Sequence, residues 1–233
     1  MKIEKKEFVD FLSKVQMSGT QQIIECVFNF DDDGLSINAD CPTEQSKIIS
    51  MLKPSAFQEY TAIGKIGVND FGGFIGALKR FNKLLTMTQE GNVLIVEESK
   101  KNVEVELINI EFIKEPKEIP DLKYAAVFKL PPKQIQDIFA DAKLSKDAVI
   151  IIETATDQIR ISNTGKYKFT NVFDAKGCPA GIKCKYGEPL VDAIAKLDGE
   201  IQISISDDYP IEILETSENT EIKIIVAPRV DEA

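Results

Sequence analysis

The sequence predicts an α+β chain of two similar halves, each built from antiparallel sheets with short helices on one face. Three observations carry this expectation. The β-rich segments alternate apolar and polar residues, Glu200-Ile201-Gln202-Ile203-Ser204-Ile205 most clearly, so each strand buries one face only, as antiparallel sheets do. The helical segments are short and carry a single apolar stripe, enough to cover one side of a sheet. The same order of helix, strands, helix, strands runs twice along the chain, an internal repeat.

In the first half, Phe8, Phe11, Leu12 and Val15 keep helical spacing, and a break follows at Ser18-Gly19. A β-rich run from Gln22 to Phe30 meets the acidic turn Asp31-Asp32-Asp33-Gly34 and then the alternating strand Leu35-Ser36-Ile37-Asn38. In the second half Ile135, Ile138, Phe139 and Ala142 repeat the stripe, and Ala148 to Ala155 repeats the strand. Thr156-Asp157 makes the turn, and Ile159 to Asn163 repeats the second strand. The later parts also correspond. Phe74 to Leu78 opens a helix, followed by alternation at Leu85 and Met87, a turn at Glu90-Gly91-Asn92 and a strand from Val93 to Glu97. Leu190 to Ile194, Ile201 and Ile203, the turn Asp207-Asp208 and the strand Ile211 to Leu214 match them. Between the halves, Phe112 to Lys123 has two prolines, alternating charges and no periodicity, which makes it an extended connector. The expected division is residues 1–111, a connector over 112–123, and residues 124–233.

Composition narrows the function. The 233 residues are 43% hydrophobic, enough for a substantial core. No apolar run approaches the ~18 residues that span a bilayer, and no secretory pattern opens the chain, so a soluble, intracellular protein without membrane partners is expected. Histidine is absent, which removes the commonest general acid/base and transition-metal ligand. The spacings of Cys26, Cys41, Cys178 and Cys184 fit no zinc pattern and suit small buried hydrophobes, although a Cys178–Cys184 bridge stays open. The run Asp31 to Gly34 lacks the spaced ligands and terminal glutamate of a calcium loop and reads as a hairpin turn. No phosphate-binding loop, dinucleotide fingerprint or nucleophile elbow is present. No metal, cofactor or catalytic residue is expected. A net charge of -10 argues against a general nucleic-acid binder unless the basic residues are segregated.

The C-terminal segment Asp208-Tyr209-Pro210-Ile211-Glu212-Ile213, followed by Ile224-Ile225-Val226-Ala227-Pro228-Arg229-Val230-Asp231-Glu232, resembles the D-x-P strand opening and terminal L-A-P-[KR]-[IV] of DNA sliding clamps of the proliferating cell nuclear antigen (PCNA) family, archaeal or viral in type. Glu118-Ile119-Pro120 with Tyr124 resembles the family's G-I-P…Y junction. Val68-Asn69-Asp70-Phe71-Gly72-Gly73-Phe74-Ile75 and Gly91-Asn92 are similar to clamp segments as well. The resemblance covers essentially the whole chain.

It implies the DNA clamp fold and a ring of three subunits with pseudo-sixfold symmetry, sheets outside and helices lining the hole. Such a ring encircles duplex DNA topologically, without reading sequence, as a polymerase processivity factor in replication and repair. It implies docking of polymerase, clamp loader, nucleases and ligases through short peptides. It places the protein in the cytoplasm at the nucleoid for an archaeal or viral source, and in the nucleus for a eukaryotic one. DNA-facing residues on or near the helices would be Lys5, Lys6, Lys14, Lys79, Arg80, Lys83, Lys133, Lys143, Lys146, Lys185 and Lys196, with Lys183 nearby; Asp10, Asp137, Asp141, Glu188 and Asp192 dilute them. The partner-peptide pocket would comprise Ala39, Ile48, Ile119, Leu122, Tyr124, Pro210, Val226, Ala227 and Pro228.

The alternatives are a specialised member of a heterotrimer or checkpoint-type ring, a small enzyme working through carboxylates, and a monomeric processivity factor. Ring closure would pair an edge strand within Val103 to Ile110 with one of two short strands within Tyr167 to Tyr186.

Overall fold

The computed structural model describes residues 1–144 and 149–229. In chain order the first half holds β1 (Lys2–Glu4), α1 (Lys5–Val15), β2 (Cys26–Asp31), β3 (Gly34–Asp40), β4 (Ser46–Leu52), β5 (Phe57–Glu59), β6 (Gly64–Val68), α2 (Phe71–Lys79), β7 (Leu84–Glu90), β8 (Val93–Glu98) and β9 (Lys101–Glu106). The second holds β10 (Ala126–Leu130), α3 (Pro132–Lys143), β11 (Ile150–Ala155), β12 (Gln158–Asn163), β13 (Thr170–Asp174), β14 (Lys183–Tyr186), α4 (Glu188–Ile194), β15 (Ile201–Ile205), β16 (Ile211–Thr216) and β17 (Thr220–Val226). A short 3-10 turn, Ile110–Phe112, follows β9, and residues 113–125 carry no helix or strand.

Local chemistry sets these elements. In α1 the stripe Phe8, Phe11, Leu12 and Val15 is buried, with Glu7 in the first turn and Lys14 in the last, each favourable to the helix dipole. Asp70 caps α2 by accepting from the Gly73 amide at 2.8 Å. The acidic run is a two-residue hairpin: Asp31 Oδ1 accepts from the Asp33 amide at 3.0 Å. Gly34 takes φ +127°, where a Cβ would lie 2.2 Å from the Leu52 carbonyl, so only glycine fits.

The described strands form three antiparallel sheets: β5-β1-β7-β8-β9, β10-β15-β16-β17-β4-β3-β2-β6 and β13-β12-β11-β14. The repeat is legible in these orders. The run β4-β3-β2-β6 corresponds to β13-β12-β11-β14, and β1-β7-β8-β9 corresponds to β10-β15-β16-β17. The middle sheet is therefore a seam between the halves. β17 pairs with β4 over seven residue pairs, from Thr220↔Leu52 to Val226↔Ser46.

Helices α1 and α4 pack behind that seam. Ser18 Oγ donates to the Asp192 carbonyl at 2.7 Å, and Asp192 Oδ2 accepts from the Thr20 amide at 2.9 Å. Gly19, at φ +54°, lies so close that a Cβ there would meet the Asp192 carboxylate at 2.0 Å. Lys14 reaches Glu215 and Asp198, each at 2.5 Å, and Glu215 is buried.

The two cores differ in composition. The first is aromatic: the Phe28 ring meets Phe71 and Phe74 edge-on at 5.5 and 5.7 Å. The second is mostly isoleucine, including Ile138, Ile150, Ile152, Ile161, Ile203 and Ile213. All four cysteines are buried and free, so Cys178 and Cys184 form no bridge. Among the described residues no helix is long and apolar enough to cross a membrane.

Candidate functional site

The cations expected on the helical face divide by what surrounds them. Lys79, Arg80 and Lys83 are exposed at the end of α2 and in the turn after it. Glu98 holds that turn: its carboxylate accepts from the Asn82 amide at 2.9 Å and the Lys83 amide at 2.6 Å, and those donors keep its pKa below the ordinary glutamate value. Lys101 Nζ donates to the Arg80 carbonyl and lies 4.9 Å over the Phe81 ring. Lys196 donates to Gln16 Oε1 at 3.3 Å; burial and then the charge of Lys79 lower its pKa, so these two cations share one positive region across α2 and α4.

Lys5 is half-buried at the start of α1, and Lys133 and Lys143 are exposed on α3. Lys6 pairs with Asp10 at 2.5 Å. Lys14 is a correction: its side chain is 16% exposed and tied to Glu215 and Asp198, so its charge is neutralised inside the seam. Lys185 is another. It lies on β14 between Cys184 and Tyr186, both buried toward the core, so alternation turns it to the face away from the helices, where it lines a hollow with Lys183, Asp208 and Arg229. Lys146 lies outside the described residues, as do Val230, Asp231 and Glu232; the side chains of Ile135 and Phe139 are likewise not described.

The connector crosses the other face of the middle sheet and is fastened near its centre. The Lys117 amide donates to Asp40 Oδ2 at 2.8 Å, and Lys47 Nζ donates to the Lys117 carbonyl and to Asp40. Glu44 bridges Lys114 and Lys117, and those two ammonium groups bring its pKa from 4.5 to about 2. The fastening leaves different ground on its two sides.

On the far side, Ile119, Leu122, Tyr124, Pro210 and Pro228 are half-buried and Ala227 is exposed. The Tyr124 and Tyr209 rings meet edge-on at 6.0 Å, and Tyr186 Oη donates to the Tyr209 carbonyl at 2.9 Å. The Tyr124 hydroxyl is buried with no hydrogen-bond partner among the described residues, and burial raises its pKa. Because Ile211 pairs with Val226 in the ladder, Pro210 comes opposite Ala227, whose amide donates to the Gln45 carbonyl at 2.9 Å. Tyr124, Tyr209, Pro210 and Ala227 are neighbours by these contacts and this register. Ile48 and Val226 do not join them, because both are wholly buried in the seam. Ala39, also buried, belongs to the near side.

On the near side is a cavity of about 830 Å³ that sequence reasoning missed. Its floor is the outer face of β2, β3 and β6, with Val27, Asn29 and Asn38, and the first residues of the connector wall it. The sequence signal was Val27, an apolar residue on the outward phase of β2, with Ile24 just before that strand.

The edges complete the geometry. After β9 the Ile108 amide donates to the Gly67 carbonyl at 3.0 Å; after β17 the Arg229 amide donates to the Lys185 carbonyl at 2.8 Å. Gly67 and Lys185 occupy equivalent positions on β6 and β14, opposite Val27 and Ile151. The tail thus covers the outer edge of β14, whereas no described strand pairs with the outer edge of β9 or β13.

A two-part chain with one shared sheet, two terminal sheets and helices behind them is a duplicated α+β architecture. Comparison with solved structures names the type. The chain superposes on PCNA of A. fulgidus, solved with the C-terminal region of FEN-1 bound, at TM-score 0.83 and 18% identity, over 100% of this chain and 98% of that one. PCNA of Entamoeba histolytica gives 0.82 at 17% identity over 98% of both chains. A PCNA2–PCNA3 complex of Sulfolobus tokodaii gives 0.81 at 16%, over 99% of this chain and 100% of that one. The fold is that of the PCNA-type DNA sliding clamp, as the C-terminal and junction segments implied. In sequence, a DNA polymerase sliding clamp of Haloarcula marismortui is 25% identical over 147 residues, 58% of this chain and 56% of that protein, so the match spans about half its length. No protein-family model matches the chain.

Proposed function

We propose that this chain is a subunit of a sliding clamp: a non-catalytic ring around duplex DNA that confers processivity on a polymerase and docks replication and repair enzymes. One observation carries the reading. β9 and β13 are the repeat equivalents of β17 and β4, which close the seam within the chain, so the two bare edges are complementary by the chain's own precedent. Pairing β9 of one copy with β13 of another repeats the seam between chains. A similar joint at each of six positions gives three chains of two domains, with domain boundaries at 1–111, 112–123 and 124–233. The helices, behind every seam, then line the hole.

Lys79, Arg80, Lys83 and Lys196, with Lys5, Lys133 and Lys143, are the residues assigned to DNA. Because the grip is topological, a few exposed cations suffice, and tight phosphate contacts would oppose sliding. Ile119, Leu122, Tyr124, Pro210, Ala227 and Pro228 are assigned to partner peptides, as groove recognition with a few buried anchors.

The test uses linear duplex DNA with both ends blocked by streptavidin after the protein has been threaded on. A ring stays on blocked DNA and leaves through an opened end, and Lys79, Arg80 and Lys83 replaced together by alanine should lose retention with a shallower salt dependence. Loss at equal rates from blocked and open DNA would overturn the ring. A heterotrimer member would show the same retention only after mixing with sister chains.

A further inference from the structure

Two compartments underlie the connector, and the docking assignment uses only the one beyond Lys117. We propose that the near cavity is a second, independent docking site, which takes a short partner segment carrying aliphatic side chains interleaved with lysine or arginine. It stands whether or not the far surface binds peptides.

The aliphatic half of this specificity rests on what is left in water. Ile24 is 59% exposed and Ile110 is 38% exposed on the cavity wall, and Phe112, in the same turn as Ile110, is 78% exposed. Large apolar side chains gathered around a concavity of this size are the usual mark of a binding surface. Burying them against an inserted side chain removes apolar area from water without reshaping the sheet beneath.

The basic half rests on charge. Glu25, Glu111 and Glu115 line the cavity; Glu25 and Glu115 have no ion-pair partner among the described residues, and Glu111 accepts only from Asn109. Asp40 and Glu44 are engaged by Lys47, Lys114 and Lys117. Lys65 is the opposing cation of the lining beside the engaged Lys114. The surplus is negative, in a recess where field lines concentrate. Asn38 is exposed on the floor with no side-chain hydrogen bond among the described residues, which leaves its amide available to a peptide backbone. The fastening at Asp40, Lys47 and Lys117 stands between the compartments, so a segment in the near cavity does not displace one on the far surface.

The probe is a fluorescein-labelled hexapeptide alternating lysine and leucine, with a glutamate-leucine hexapeptide as its counterpart, in polarisation titrations against the assembled protein. The basic probe should bind about tenfold more tightly than the acidic one. Ile24→Ser, which removes an exposed anchor without altering charge, and Glu115→Lys should each weaken it about fivefold or more. Glu90→Lys, a reversal on the distant β7–β8 turn, should change it less than about twofold and so reports general attraction to an acidic protein. A glutamine-anchored peptide of the far surface should bind alongside the basic probe, and its affinity should survive Ile24→Ser. Equal binding of the two hexapeptides, equal effects of Glu115→Lys and Glu90→Lys, no effect of Ile24→Ser, or competition between the two ligands would each overturn the proposal. Failure of the glutamine-anchored peptide alone would count against the far surface only.

Discussion

At the β17–β4 seam, seven residue pairs close the backbone ladder, and Ile222, Ile224, Ile48 and Val226 bury completely behind it. At β9, the strand equivalent to β17, the sequence is Lys101-Asn102-Val103-Glu104-Val105-Glu106, with its valines only partly buried. At β13, equivalent to β4, Val172 is 52% exposed. The closed joint turns an apolar face to the core and buries it completely. The open edges carry charge and partial exposure, features that guard an unpaired strand against aggregation. In the proposed ring one joint would hold the fold and the other could part to admit DNA.

The largest effect expected from testing this contrast is on assembly. Val172→Asp puts a charge on the open edge at an exposed position, so the chain should fold normally yet run as one chain instead of three in size-exclusion light scattering. A trimer retained by this variant would remove β13 from the joint. Next, Ala227 prolongs the closed seam by one hydrogen bond, and the connector passes over that seam alone. Ala227→Arg should weaken a Q-x-x-hydrophobic-x-x-aromatic-aromatic peptide by about 2 kcal/mol in calorimetry. One peptide per chain is expected, since the open joint lacks a connector.

A subtler change sharpens the picture of what holds the closed joint. Asp192→Ala leaves the Thr20 amide without its acceptor, at a cost of about 1–3 kcal/mol in denaturant unfolding. The smallest effect is local. The Glu44 carboxyl is held at about 2 against an ordinary 4.5, so its hold on Lys114 and Lys117 is complete above about pH 4.5 and lost as pH falls through about 2. Glu44→Gln should show the acid-loosened connector already at neutral pH, read from the NMR signals of Lys114 and Lys117. Identical spectra for parent and variant at pH 7 would mean that Asp40 and Lys47 hold the connector unaided.

Alternation in Ile201 to Ile205 and turn chemistry at Asp31 to Gly34 made the hairpins and their repetition readable. Alternation tells which face of a strand is wet, but not which strand lies beside it. The pairing of β17 with β4 across the halves was therefore invisible, and so was the reason that Ile48 and Val226 are core rather than pocket. The proposal of β13 over β14 for the joint between chains rests on the Arg229 amide reaching Lys185, a contact between residues 44 positions apart. Lys185 was misplaced because proximity to a helix in sequence says nothing about which side of a sheet a strand residue faces.

The contact of Gly19 with Asp192 has a consequence at the scale of the proposed ring. Sheet ladders on one side and the Ser18, Thr20 and Asp192 bonds on the other fix the angle at which the halves meet, much as two fasteners set the opening of a hinge. For three identical chains to close, each must subtend a third of a turn, and any error in that angle is repeated at every copy. A side chain at position 19 would push the Asp192 carboxylate from its place against Thr20, loosening one of the two fasteners. In the proposed ring the width of the hole would thus depend on the absence of one methyl group.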